Sequence, residues 1–193
     1  MRRLLVVVVV SLAALALPTL ALATHSNGKG PAQDFISGAA KGLASIPCPP
    51  GTAASHMHAN AQALDNVTND ARGQFWDVLT FSPPCLGFTE AEFSGTVLCL
   101  NAYQAGADNS ANWVGRIDAV LLQPGNVPGI SGILFPGTGV VTRHIDNGEP
   151  GVGNDRAVGF TTPAPVTCNH PLLQVPFATI PITQGNLIVH QGL

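Results

Sequence analysis

Residues 53–63 of the chain read AASHMHANAQA and decide the fold class, because polar and apolar side chains alternate along them. Successive side chains of a β-strand point to opposite faces of the sheet, so this alternation predicts a strand with one face polar and the other apolar. The polar face would carry His56, His58, Asn60 and Gln62, and the apolar face would carry Met57 and the alanines between them. One buried and one solvated face is typical of an antiparallel sheet.

Further short segments with strand character follow, separated by Gly, Pro and Asn. They are 74–81, 93–103, 111–122, 139–145, 156–161 and 186–190, with either 165–168 or 176–182 as an eighth strand. Seven or eight antiparallel strands must close or stack to hide their edges. We therefore predict an all-β fold, a single antiparallel β-barrel or sandwich, and the sequence does not separate the two.

Composition and charge exclude several classes of protein. Only 10% of the 193 residues are charged, and the chain holds 21 Gly and 16 Pro, which rules out a long-helix or coiled-coil protein. The formal net charge is −3, and no run of Lys or Arg occurs. A nucleic-acid partner is therefore not expected, because binding to phosphate groups needs a basic patch.

The N-terminus has the features of an export signal. Arg2 and Arg3 precede an apolar stretch at 4–17, Pro18 breaks it, and Ala21 and Ala23 form a small-residue cleavage site. We expect a signal peptide over 1–23, a flexible N-terminal segment over 24–50 that includes an irregular stretch at 34–44, and the β-domain over 51–193. The mature protein would then be secreted, without stable membrane insertion.

Four cysteines fit this compartment, because paired thiols persist in an oxidising environment. They are Cys48, Cys85, Cys99 and Cys168, and three pairings are open to them. We prefer Cys48–Cys85 with Cys99–Cys168, although nothing in the spacing derives this choice.

Four motifs, taken in order, resemble a family of small secreted bacterial β-sheet proteins of the actinobacterial type. They are SGTVLCLN at 94–101, WVGRI at 113–117, IDNGEPG at 145–151 followed by Asp155, and GNLIVH at 185–190. The family pattern is G-x-V-x-C-L, a G-R-I-like strand, D-x-G-x-P-G with a later Asp, and G-N-I/L-x-V-H. The resemblance implies export and a compact antiparallel β-fold, and it implies no particular chemistry.

The loop at 146–155, DNGEPGVGND, concentrates acidic residues in a chain with few charges. Asp146, Glu149 and Asp155 are the kind of oxygen ligands that Ca²⁺ takes from a flexible loop, although the EF-hand spacing is absent. The alternative is a strand connection whose Asp and Asn side chains bond to their own backbone.

His56 and His58 form an H-x-H pair whose imidazoles point the same way on a strand, as a Zn²⁺ site requires. A third ligand would have to come from His144, His190 or a carboxylate. The alternative is a solvated strand face that the two histidines share with Asn60 and Gln62.

No signature of nucleophilic catalysis occurs, neither G-x-S-x-G nor S-x-x-K nor a catalytic cysteine motif. Asp77 and Asp118 lie mid-strand and are the acids most prone to burial, although such an acid more often faces solvent or meets an arginine such as Arg116. The strand aromatics Trp76, Trp113 and Tyr103 are expected in the core rather than on a binding platform.

The sequence therefore favours a secreted binding or surface-associated module without enzymatic activity, whose ligand or protein partner it does not specify. No cofactor is expected beyond Ca²⁺ or Zn²⁺ at the two candidate sites. The alternative hypothesis is a metal-binding protein or metalloenzyme that uses His56 and His58 or the acidic loop at 146–155.

Overall fold

The structure is a computed structural model of the chain. It describes residues 9–10, 12–13, 33–47, 50–64, 68–105, 107–123, 136–148, 154–162, 166–175 and 179–192. Apart from 9–10 and 12–13, the predicted signal peptide lies outside these ranges, as do Cys48 and Glu149. No helix within these ranges is long and apolar enough to cross a membrane.

The described residues form one curled antiparallel sheet with the shape of a half-barrel. Its long strands are β3 (Phe35–Pro47), β4 (Pro50–Ala63), β5 (Asp70–Cys85), β6 (Phe88–Ala105), β7 (Asp108–Gln123), β8 (Gly139–Asp146), β9 (Arg156–Thr162) and β11 (Gln184–His190). Neighbours follow the chain from β3 to β9, and β11 pairs with the free side of β3. Three two-residue strands complete the sheet: β1 (Val9–Val10) and β10 (Ile180–Pro181) pair antiparallel with β9, and β2 (Leu12–Ala13) pairs parallel with β3.

The all-β prediction is confirmed, and the fold is one curled sheet rather than two stacked ones. Each of the seven segments predicted as strands lies in β4 to β9 or β11. The eighth long strand was not predicted: β3 (Phe35–Pro47) runs through the stretch expected to be flexible and irregular. Its Gly38 has a φ of 150° and leaves no room for a Cβ, which would lie 2.4 Å from the Asn186 carbonyl oxygen of β11. Glycine at this position thus allows the two strands to pair closely.

The alternation along β4 is confirmed, since Met57, Ala59, Ala61 and Ala63 are buried on the inner face. The inner face of the sheet carries the main core, in which Trp113 packs against Phe75 with ring centroids 5.2 Å apart. Gly95 and Gly115 on the neighbouring strands make room for the Phe75 ring, because a Cβ on either would approach it within 3 Å. Glycine at these two positions lets the strands bend around the core.

A second, smaller core lies on the outer face of β6, β7 and β8. The segment 166–175, which we call the strap, packs Val166 and Leu173 against Val114 and Val141 and contains the short helix α1 (Pro171–Gln174). A disulfide joins Cys99 of β6 to Cys168 of the strap, which confirms that predicted pair. Cys85 is also disulfide-bonded, and its partner lies outside the described residues.

Candidate functional site

The outer face of β4 to β7 carries an open depression of about 840 Å³, which we call the polar depression. Its side chains are His58, Asn60 and Gln62 from β4, Arg72, Gln74 and Trp76 from β5, Ser94 and Thr96 from β6, and Asp118 from β7. Gly73, Phe75 and Gly95 complete its lining. Apart from Trp76, the outward-pointing side chains are polar or charged.

Strand register brings these side chains together in rows across the sheet. Asn60 lies opposite Gln74, which lies opposite Thr96, and His58 lies opposite Trp76, which lies opposite Ser94. Between β6 and β7 the register shifts, since Ser94 pairs with Ala119 but Gly95 pairs with Ile117. The extra residue of this bulge is Asp118, and its carboxylate lies at the Thr96 end of the row that Asn60, Gln74 and Thr96 form.

Trp76 is the aromatic side chain of the polar depression and is held in place from two sides. Its indole Nε1–H donates to Glu92 Oε1 at 2.7 Å, and the His56 ring packs against it edge-on with centroids 5.5 Å apart. The side chain is half-buried, whereas Trp113 is fully buried in the main core. The expectation of a core position is therefore confirmed for Trp113, while Trp76 lines the outer surface.

Opposite charges balance at the β7 end of the depression. Arg116 Nε donates to Asp118 Oδ1 at 2.7 Å, and the Thr96 hydroxyl donates to Asp118 Oδ2 at 2.6 Å. Burial acts to raise the pKa of Asp118, but these two hydrogen bonds and the Arg116 charge outweigh it and lower that pKa. Asp118 is thus an exposed, ionised acid that meets Arg116, and its low basicity makes it unsuited to activate the Thr96 hydroxyl.

Several polar groups of the depression remain available to a ligand. In the described part of the chain, the side chains of Asn60, Arg72 and Gln74 make no hydrogen bond or ion pair with the protein. Gln62 differs, because its Nε2 donates to Gln33 Oε1 at 2.9 Å. The free amides offer both donors and acceptors, and Arg72 adds further donors.

Asp77 lies on the inner face of β5, beneath the depression, and is 1% exposed. Burial raises its pKa to about 7, against the hydrogen bonds that it accepts from the Ser55 hydroxyl at 2.9 Å and the His56 N–H at 3.1 Å. Of the two mid-strand acids named as most prone to burial, Asp77 is buried, whereas Asp118 is exposed and meets Arg116.

The four histidines weighed as metal ligands do not converge. His56 and His58 share the outer face of β4, where burial and the nearby Lys41 charge lower the pKa of His56. His144 is 1% exposed and packs against Trp113 in the core, and His190 stacks on Phe35 at the other end of the sheet.

The acidic loop contributes two carboxylates that bond to the edge of β11. Asp155 Oδ2 accepts the Leu187 N–H at 2.7 Å, and Asp146 Oδ2 accepts the Val189 N–H at 3.1 Å. Their other oxygens accept the N–H groups of Asn147 and Gly148 at 3.0 and 2.9 Å. The carboxylates thus serve the backbone donors of an edge strand and of their own loop.

Metal binding by Asp146, Glu149, Asp155, His56 and His58 stays a prediction. Within the described ranges, no group of three or more His, Cys, Asp or Glu side chains is arranged to hold a metal ion.

Sequence analysis identified the β4 side of the depression but missed Arg72, Gln74 and Thr96. Period-two alternation also holds in β5, where Arg72, Gln74 and Trp76 face outward and Phe75 and Asp77 face inward. That signal was available, but the pairing of β4 with β5 and of β5 with β6 was needed to join these residues into one surface.

Comparison of the chain with protein-family models, with curated proteins and with solved structures gave no match.

Proposed function

We propose that this protein is a secreted, non-enzymatic binding module that holds an uncharged, polyhydroxylated ligand, a carbohydrate, in the polar depression. The observation that carries the proposal is the set of amide and guanidinium groups of Asn60, Gln74 and Arg72, which bond to nothing in the described part of the chain, beside the half-buried Trp76. Sugars are recognised by such planar donors and acceptors together with an aromatic ring, which contacts their apolar C–H groups.

The charge balance favours an uncharged ligand over a polyanion. Among the described residues that line the depression, Arg72 is the one arginine or lysine, and the nearby Arg116 is already paired with the ionised Asp118. A strongly anionic ligand would meet the Asp118 carboxylate without the cluster of cations that phosphate recognition needs.

The absence of catalysis in this proposal is supported by the hydroxyls of the depression. Thr96 lies beside an acid of lowered pKa, which is a poor general base. Activation of a serine or threonine needs a base poised to take its proton.

Secretion is supported by the sequence of the predicted signal peptide and by the Cys99–Cys168 disulfide, which suits an oxidising compartment. Membership of the secreted bacterial family that the four motifs resemble is part of the same proposal.

The test is affinity gel electrophoresis of the purified secreted protein in gels that contain a neutral glucan, mannan or arabinogalactan. We expect at least one of these polysaccharides to retard the wild type. Gln74→Ala and Asn60→Ala should each weaken retardation at least tenfold in apparent affinity, since each removes a ligand-facing amide.

The matched control is Gln104→Ala, which removes an exposed amide of β6 outside the depression. It should be retarded like the wild type. No retardation by any of the three neutral polysaccharides, or equal weakening by Gln104→Ala, would count against the proposal.

The metal-binding alternative makes a separate prediction. If His56 and His58 or the loop at 146–155 bind a cation, ZnCl₂ or CaCl₂ should raise the melting temperature, because a ligand that binds the native state stabilises it. His58→Ala should abolish a Zn²⁺ shift, and unchanged melting in both salts would remove this alternative.

A further inference from the structure

The two ends of the polar depression along β5 offer different chemistry to a ligand. Trp76 lies at one end, and its one donor group, the indole Nε1–H, is already bonded to Glu92 at 2.7 Å. This half-buried side chain therefore offers a ligand the apolar surface of its ring. Arg72 lies at the other end, where it is exposed, and its guanidinium has donors but no acceptor. One end thus suits apolar C–H groups, and the other suits oxygen atoms.

The two ends are too far apart for one sugar ring to contact both closely. Arg72 and Trp76 are four residues apart on one strand, so their Cα atoms are about 13 Å apart. Both side chains leave the strand on the same face, because an even number of positions separates them. A pyranose ring stacked on Trp76 extends towards Gln74, and the guanidinium of Arg72 is left for a further sugar residue.

Amide groups line the space between the two ends. Asn60 of β4 lies opposite Gln74 of β5, midway between Arg72 and Trp76, and both amides offer donors and acceptors to hydroxyl groups. The depression is open to solvent, and its volume of about 840 Å³ lies near the upper end of the range for ligand sites, about 300–1,000 Å³. The space therefore suits several linked sugar residues, and a chain can continue beyond it.

We propose that the polar depression binds an internal stretch of a linear, neutral polysaccharide that lies along β5. This binding mode rests on the proposed function and specifies the length and direction of the carbohydrate. Trp76 contacts the C–H face of one sugar residue, Asn60 and Gln74 bond to hydroxyls next to it, and Arg72 donates to oxygen atoms of a further residue. A free monosaccharide fills only the part of the site beside Trp76.

Competition in the affinity gel tests this binding mode. The polysaccharide that retards the protein stays in the gel, and the monosaccharide or the tetrasaccharide of its main chain is added as a competitor. We expect the tetrasaccharide to release the wild type at a concentration at least about tenfold below that of the monosaccharide, because it contacts both ends of the site. Arg72→Ala should reduce this ratio at least about threefold. The variant should fold, since Arg72 is exposed and bonds to nothing in the described part of the chain.

The control variant Gln104→Ala, outside the depression, should keep the ratio of the wild type. If none of the three polysaccharides retards the wild type, the proposed function fails and this binding mode fails with it. If one of them does, but the monosaccharide and the tetrasaccharide compete at equal concentrations, the proposed function stands and the chain ligand is overturned. An equal loss of both competitors in Arg72→Ala would also overturn it, because Arg72 would then contact the same sugar residue as Trp76.

Discussion

The outer surface of the sheet differs between its two halves, both in polarity and in whether another segment covers it. On β6 to β8 it is apolar around Val114 and Val141, and the strap covers it. On β4 and β5 it is polar and carries no covering segment among the described residues. Along β8 every residue from Gly139 to Ile145 is buried, whereas β4 alternates between buried and accessible positions.

The comparison explains why the polar half is the better candidate for function. Where the outer face is apolar, a disulfide, the half-buried Asn101 and the buried Asn112 hold the strap backbone against it. Where the outer face is polar, amides such as Asn60 make no bond within the described protein. Covered polar groups stabilise the fold, while accessible unpaired ones are available for recognition.

The largest effect should come from detaching the strap. The variant with both Cys99→Ala and Cys168→Ala opens a loop whose ends are 69 residues apart, which should lower the free energy of unfolding by about 4 kcal/mol. Urea denaturation measures this loss. Increased binding of a hydrophobic dye under native conditions would report exposure of Val114 and Val141. A loss below about 1 kcal/mol would mean that the strap is held mainly by its packing.

The second effect is a pH-dependent change in stability, and it concerns Asp77 of β5 in the polar half of the sheet. Burial raises the pKa of Asp77 to about 7, above its ordinary value of 3.8, so the folded state holds this proton more tightly than the unfolded state. The resulting stability is fully present below about pH 4 and is lost as the pH rises through 7. From these two pKa values, the loss by pH 8 is on the order of 4 kcal/mol.

Asp77→Asn removes this titration while keeping the shape of the side chain. Its melting temperature, relative to the wild type, should therefore rise between pH 5 and pH 8. His144, with its pKa lowered by burial to about 3, destabilises the fold at acidic pH in both proteins and cancels in this difference. Parallel pH profiles for the two proteins would show that Asp77 does not titrate in this range.

The outer face of β4 and β5 could be predicted from the alternation of polar and apolar residues. The outer face under the strap was harder to predict, because residues on both faces of β8 are buried. Residues 53–63 and the strand at 74–81 follow period two, so their faces could be assigned before the structure, whereas a bulge between Val97 and Cys99 breaks the alternation of 93–103. The strap at 166–175 has no such period, and its position depends on the non-local contact between Cys99 and Cys168. The strand β3 was missed because Gly38 and Gly42 interrupt it, and the pairing with β11 that accommodates Gly38 joins residues far apart in sequence.

For the candidate sites too, some features could be predicted from a local pattern and others depended on the order and register of the strands. A local pattern placed His56, His58 and Asn60 on one face correctly, but it could not show that Arg72, Gln74 and Thr96 lie beside them. The acidic loop was recognisable as a concentration of charge, yet its bonds to Leu187 and Val189 depend on where β11 lies in the sheet. The local period shows which side chains of one strand share a face. Strand register and strand order decide which side chains of other strands lie beside them.

Two asparagines give the sharpest comparison of the halves, and the covered one has the larger expected effect. Asn112 is fully buried, and its Nδ2 donates to the carbonyls of Leu172 and Val175, each at 2.8 Å. Asn112→Ala should lower the free energy of unfolding by about 2 kcal/mol, because it leaves strap carbonyls and the Tyr103 hydroxyl without this partner. Urea denaturation measures the change, and a loss below about 0.5 kcal/mol would show that the strap does not depend on this amide.

The same substitution on the open half, Asn60→Ala, should leave stability within about 0.5 kcal/mol of the wild type, because an exposed amide without an internal bond contributes little to folding. Under the proposed function it should nevertheless weaken polysaccharide retardation, whereas Asn112→Ala should leave retardation unchanged at a temperature where it is folded. A loss of stability in Asn60→Ala as large as in Asn112→Ala would show that the amides of the polar depression serve the fold. The polar depression would then stabilise the fold, as the surface under the strap does. The proposal that β4 and β5 recognise a ligand would fail.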